Sequence, residues 1–258
     1  MKKIFSILIM LIFGVSAYAL SIGQRADSAY NAENYRLAID LYQKSLAEEG
    51  RSSDLYYNLG NAYYRRDKLG MAVVCYERSL RLDPTNDDAR SNLEFVRSRI
   101  MDRPEDDTAF LAEVHYSILS SMTADAWAWT AFAIFVLLMG AVALYIFSTN
   151  VGLRKTGFFG GLVLLVLFAY TLVVASDATS VASSHETAVV ISPSTQLSSA
   201  PRASKTSADK VVTLHEGTTV EIVDSVPTPD DPVSPMWYNV KINNATKAWL
   251  RSSDVERI

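Results

Sequence analysis

The sequence predicts a multi-part membrane protein: an α-helical repeat domain, two transmembrane helices and a small all-β domain. Three observations point there. A 34-residue unit over 53–86 carries small and aromatic residues at helical spacing. Two uncharged apolar runs, 126–147 and 157–175, flank a short basic loop. From residue 188 the pattern turns to short β-prone runs, broken by Pro, Ser, Asp and Asn.

In chain order, residues 1–19 have the three parts of a secretory signal. Lys2 and Lys3 open it, an apolar stretch follows, and Ala17-Tyr18-Ala19 supplies the small residues of a cleavage site. The position after the site holds Leu20 and Ser21 rather than a cysteine, so no lipid anchor is expected there. The 258 residues carry a net charge of −4, and −6 without Lys2 and Lys3. Nothing is basic enough to suggest a nucleic acid partner. A single cysteine, Cys75, rules out an internal disulfide.

The helical region is expected over 20–100. Within 53–86 stand Tyr56, Leu59, Gly60, Tyr63, Ala72, Tyr76, Ser79 and Pro84. These spacings resemble the tetratricopeptide repeat position by position, which implies an α-solenoid of paired helices. Gly60 and Ala72 are small where the two helices cross, and Tyr76 fills the space between them. One unit earlier, Ala38, Tyr42 and Ser45 repeat the second-helix pattern, while Ala26 and Ala29 replace the glycine and tyrosine of the first. One unit later, Asn92 and Leu93 match a first helix only. The expectation is two repeats and a closing helix. The connector 101–125 has Phe110, Leu111, Val114, Ile118, Leu119 and Met122 at helical spacing, to pack on the last repeat or lie on the membrane surface.

Repeat stacks of this kind bind protein segments along the face made by their first helices. By resemblance, the groove positions are Tyr57, Asn58, Asn61, Tyr64, Arg65 and Asn92. Relatives that clamp a terminal carboxylate use cations in the groove; Asp54, Tyr57 and Asp88 on this face argue against that mode. Cys75, between Val74 and Tyr76, reads as a small buried hydrophobe.

The run 126–147 would extend about 33 Å as a helix, enough for a hydrocarbon core of about 30 Å. Arg154 and Lys155 lie in the loop 148–156, and no other Lys or Arg occurs between Arg103 and Arg202. The positive-inside rule therefore places this loop in the cytoplasm. The signal independently places the N-terminal part outside. Together they predict a bacterial inner-membrane protein with both folded parts periplasmic. Trp127 and Trp129 at the outer end of the first span fit an aromatic belt. Neither span carries an acid, base or histidine, which argues for an anchor and against a proton or ion path.

Residues 176–187, rich in Ser, Ala and Thr, read as a linker to a β domain over 188–258. Leu214-His215-Glu216-Gly217-Thr218, Val220, Trp237, Val240 and Ala248-Trp249-Leu250 resemble the bacterial SH3 barrel. Ala248 stands for the usual glycine, and Asn243-Asn244 for the usual Asp-Gly turn. The resemblance implies a surface for cell-wall peptides or proteins, with Trp237 and Trp249 as either core or binding surface.

His115, His185 and His215 fall in three segments, so no metal site or cofactor is expected. Phosphate-loop and nucleophile-elbow motifs are absent, and the acidic run at Glu105, Asp106 and Asp107 reads as solvated. The chain is expected to be a scaffold, not an enzyme. The ordered combination of signal, repeats, hairpin and SH3-like tail is similar to the BatE proteins of the Bat aerotolerance operons. That resemblance implies von Willebrand factor A-type membrane proteins as partners, a MoxR-type ATPase acting indirectly, and a role in envelope stress or oxygen tolerance. The alternative is peptidoglycan binding through the tail.

Overall fold

The computed structural model describes residues 20–102, 110–183, 186–202, 210–228, 235–242 and 247–258. The signal at 1–19, the acidic run at 105–107, His185 and the turn at 243–244 lie outside these residues.

Five helices form the N-terminal stack: α1 (Ile22–Asn31), α2 (Tyr35–Glu48), α3 (Ser53–Arg65), α4 (Leu69–Leu82) and α5 (Asp87–Arg97). This is two helix pairs and a closing helix, as the 34-residue period predicts. Each first helix starts on a side-chain cap. Ser21, Ser52 and Asn86 accept from Gln24, Leu55 and Ala89 N–H groups respectively, satisfying donors that have no partner inside the helix. Glu33 and Asp67, one repeat apart, both take the left-handed conformation that turns the chain between helices of a pair (φ 59° and 56°). Ala26, Ala38, Tyr42, Leu59, Ala62, Ala72, Val73, Cys75 and Tyr76 make the core. Gly60 permits the tight crossing: a Cβ there would lie 2.7 Å from the Tyr76 ring.

Two longer helices follow. After α6 (Phe110–Leu119) come α7 (Ala124–Phe147) and α8 (Val151–Ser183). α7 and α8 pack along each other and are long and apolar enough to cross a membrane, with mean hydropathies of 2.4 and 2.5. Only 11% and 17% of their apolar windows are buried, whereas the core helix of a water-soluble fold would be mostly covered. The second helix is longer than its apolar run suggested. Residues 176–183, expected as linker, continue α8, and the helix already starts at Val151 within the expected loop. Ser, Ala and Thr read as linker by composition, yet none of them breaks a helix, and no Gly or Pro intervenes before Ser183.

The connector helix α6 contacts α8, and its Tyr116 and Leu119 line a cavity shared with Pro84 and Arg90 of the stack. Its end leans on the outer ends of the long helices. Leu119 is buried with Trp127 and Val174, and the Trp127 indole donates to the Leu119 carbonyl at 3.2 Å. His115 and Asp177 face each other at 3.2 Å. Trp127 is thus interior, while Trp129 is exposed as an aromatic belt requires.

The C-terminal part is one antiparallel sheet of seven strands: β1 (Thr187–Val190), β2 (Ser194–Ser198), β3 (Lys210–His215), β4 (Thr219–Pro227), β5 (Met236–Lys241), β6 (Lys247–Arg251) and β7 (Val255–Arg257). Their order is β3-β2-β6-β5-β4-β1-β7. Ala188, Val190, Leu197, Leu214, Val220, Val240, Ala248, Leu250 and Val255 form its core. The fold is consistent with a small SH3-like domain. Two strands carry little sequence signal. β2 is mostly polar, and β7 has only three residues.

This sheet does not hang free. Its β1–β7 edge lies against α4, and Val189 and Ile258 are buried in the same core as Val73 and Tyr42. A Cβ on Gly70 would come within 2.5 Å of the Val190 carbonyl, so glycine is required for the approach. Lys68 gives α4 no side-chain cap; the Glu216 carboxylate accepts the Gly70 N–H instead, at 2.9 Å. Arg78 binds Glu256 at 2.6 Å and also donates to the Arg257 carbonyl, and Arg81 donates to the Ile258 carbonyl at 2.8 Å. The arginines thereby occupy acceptors of an edge strand that would otherwise invite another chain. The Arg78–Glu256 pair is partly exposed and contributes about 1 kcal/mol or less. Burying Val189 and Ile258 contributes about 1.5–3 kcal/mol each and dominates.

Beyond α5, Asp102 ties the stack to the sheet again. It accepts from the His215 backbone at 2.6 Å, the His215 ring at 3.0 Å and the Thr218 hydroxyl at 3.0 Å. Burial would raise its pKa, but these donors outweigh burial and hold the carboxyl below the usual carboxylate range.

Candidate functional site

The β domain covers α4, the second helix of the pair α3–α4. The opposite side, made by α1, α3 and α5, is the candidate site. Side-chain contacts knit these three helices into one surface. Asn58 on α3 donates to Asp27 on α1 at 3.4 Å, and Tyr42 donates to the same carboxylate at 2.7 Å. Asn92 on α5 donates to the Asn61 carbonyl at 2.9 Å, and Tyr76 reaches through from α4 to donate to it at 2.7 Å. Burial raises the Tyr76 and Tyr42 hydroxyl pKa values, so both stay protonated donors.

These bonds leave Asn61 with its carbonyl doubly occupied and, among the described residues, its amide N–H groups uncommitted. A half-buried carboxamide held in this way presents donors at a fixed orientation, the geometry needed to bind a backbone carbonyl of a visiting chain. Tyr57 lies beside it, its ring 6.2 Å from that of Tyr76. Farther along α3, Tyr64 packs edge-on to Phe95 of α5 at 5.8 Å. Arg65 lies 4.7 Å over the Tyr35 ring, and Arg99 lies 4.6 Å over Phe95 and 5.6 Å over Tyr64.

All six positions expected from the sequence, Tyr57, Asn58, Asn61, Tyr64, Arg65 and Asn92, fall on this one face. Tyr57, Asn58, Asn61, Tyr64 and Asn92 are half-buried and Arg65 is exposed. Asp27, Phe95 and Arg99 belong to the surface as well and escaped the sequence reading. The signal was available: moving Asn61 by one 34-residue period back or forward gives Asp27 and Phe95, and moving Arg65 forward gives Arg99. Tyr30 and Tyr35 complete the aromatic group, with rings 5.3 Å apart.

The tail is a weaker candidate. Trp237 is 3% exposed and sits under Arg251, whose guanidinium lies 5.6 Å over its ring. On β5 it alternates with Tyr238 and Val240 of the core, so it lies buried on the opposite face of the sheet. Trp249 is half-buried on β6. Cys75 is buried, and burial pushes its thiol up to about 12, so it stays an unreactive thiol at neutral pH. Among the described residues no cluster of His, Cys, Asp and Glu is arranged to hold a metal ion.

Comparison with protein families matches the tetratricopeptide repeat to residues 53–86, the segment from the start of α3 to the cap of α5. No curated protein matches the chain. The repeat suggests a role in protein–protein interaction, and the two apolar helices suggest membrane association. The family is a non-catalytic scaffold fold.

Proposed function

We propose that the protein is a membrane-anchored scaffold that holds a partner protein in the groove lined by Tyr57, Asn58, Asn61, Tyr64, Arg65 and Asn92. The observation that carries this reading is the asymmetry of the stack. The β domain lies against α4, the second helix of the matched repeat, while the first-helix side presents an oriented carboxamide at Asn61, its N–H groups uncommitted among the described residues, beside the Tyr57 and Tyr76 rings. The α7–α8 hairpin serves as anchor. The charge distribution around it supports a cytoplasmic turn at Arg154 and Lys155, with both folded parts on the periplasmic side. Contact between stack and sheet requires them to share a side, which agrees with that topology.

The partner class follows from the order of parts, which resembles the BatE proteins. On that basis the partners are von Willebrand factor A-type membrane proteins, and a MoxR-type ATPase is reached only through them, since the cytoplasmic turn is short. The role is then assembly of a Bat-type complex in aerotolerance or envelope stress. The test is co-purification from native membranes in mild detergent. Tyr57→Ala, Asn61→Ala and Arg65→Glu together are expected to abolish recovery of these partners while the protein keeps its circular dichroism and melting temperature. Unchanged recovery would sink the proposal. The competing reading, peptidoglycan binding by the tail, loses support from the burial of Trp237. It predicts that the full chain sediments with purified cell wall above a control protein.

A further inference from the structure

The groove is electrically polar along its length. Asp54 and Asp88 stand in the first turns of α3 and α5, Arg65 stands at the far end of α3, and Arg99 in the turn just past α5. The acidic ends face the long apolar helices: Pro84 and Arg90, beside them, line a cavity of about 330 Å³ shared with Ala124, Asp125 and Ala178. The arginine ends therefore point away from the anchor.

Arg65 and Arg99 are one repeat apart and built alike. Each guanidinium lies over aromatic rings, Arg65 on Tyr35 and Arg99 on Phe95 and Tyr64. A guanidinium held over a ring keeps N–H groups available for a carboxylate, and both arginines are exposed. Arg97, two residues before Arg99, is paired with Glu77. Among the described residues neither Arg65 nor Arg99 has a carboxylate in ion-pair contact; Arg65 has only the Tyr30 hydroxyl beside Tyr35. Two exposed, unneutralised forks on an aromatic floor are complementary to carboxylates next to an apolar side chain.

We propose that this outer end of the groove recognises an internal acidic segment of the partner, with Asp or Glu side chains on Arg65 and Arg99 and an adjacent aromatic residue against Tyr64 and Phe95. This rests on the groove being the binding face. It differs from clamping a chain end, because the carboxylates belong to side chains along the segment.

Fluorescence anisotropy on the full chain in mild detergent tests it, with three labelled peptides blocked at both ends: Glu-Glu-Phe-Glu-Glu, Gln-Gln-Phe-Gln-Gln and Lys-Lys-Phe-Lys-Lys. The acidic peptide is expected to bind at least about tenfold tighter than the neutral one, since a hydrogen bond to a charged group is worth about that factor or more. The preference should shrink with added salt. Arg65→Glu with Arg99→Glu should reverse it in favour of the lysine peptide, an exchange that a merely unfolded variant cannot produce. Equal binding of the three peptides, no binding of the acidic one, or an acidic preference that survives the double charge reversal would overturn the proposal. The double variant Tyr57→Ala, Asn61→Ala separates the two levels. If it alone abolishes binding that ignores charge, the groove stands and the acidic specificity falls. If it leaves binding of every peptide unchanged, both fall.

Discussion

The two sides of the helical stack are built from the same repeat and have opposite fates. The side made by α4 is closed: Val189, Ile191 and Ile258 of the β domain pack on it, and Arg78 and Arg81 hold the edge strand. The side made by α1, α3 and α5 stays open, with polar and aromatic groups arranged across three helices. An isolated repeat cannot bury its own faces. Here one face is completed within the chain, which leaves the other for a partner. The lesson is that occupation, rather than the repeat motif alone, tells which face is available.

The residue that joins both sides offers the strongest way to break this division. Tyr76 fills the gap over Gly60 and also fixes Asn61 through its hydroxyl. Tyr76→Ala should cost about 3–5 kcal/mol, as for other large aromatic truncations, and should lower the melting transition of stack and sheet together. Separate melting of the β domain would show that the closed side is looser than described. Gly70→Val is expected to act on the closed side alone. Its side chain meets the Val190 carbonyl, and overpacking of this kind costs about 1–3 kcal/mol. Hydrogen exchange should quicken in β1 and β7, while partner recovery through the groove persists.

A smaller effect sharpens the same comparison by pH. The Asp102 carboxyl has a depressed pKa in the folded protein, so its contribution is fully present above the ordinary carboxylate range. That contribution is lost as pH falls below about 4 towards the folded value. Asp102→Asn should flatten this part of the stability-versus-pH curve. An unchanged acid limb would mean that the link between Asp102, His215 and Thr218 does not hold the sheet to the stack.

What could be read from the sequence divides along the same line. The stack was legible because its contacts are made by side chains at a fixed period: Leu59, Gly60, Tyr63, Ala72 and Tyr76 each have a place in the repeat. The closed side was not: Val189, Ile258, Glu216 and Glu256 follow no period that ties them to α4, and the remaining contacts are made by main-chain groups. The Val190, Arg257 and Ile258 carbonyls carry no residue signature, and Gly70 marks the contact only by lacking a side chain. Residues 176–183 misled by composition, since Ser and Thr favour both loops and the exposed ends of helices. In the groove, Tyr57 to Arg65 were legible on α3. Asp27 and Phe95 differ in type from Asn61, their equivalent one repeat away, so likeness failed where register would have succeeded; Arg99 repeats Arg65 but lies just past the closing helix.

The most direct test of the two-sided account is photocrosslinking in native membranes, with benzoylphenylalanine placed in turn at position 57 in the groove and position 78 on the closed side. The account predicts an intermolecular adduct from position 57, lost when Asn61→Ala and Arg65→Glu are added, and an internal crosslink to the β7 region from position 78. Intermolecular adducts from position 78 with none from position 57 would contradict it.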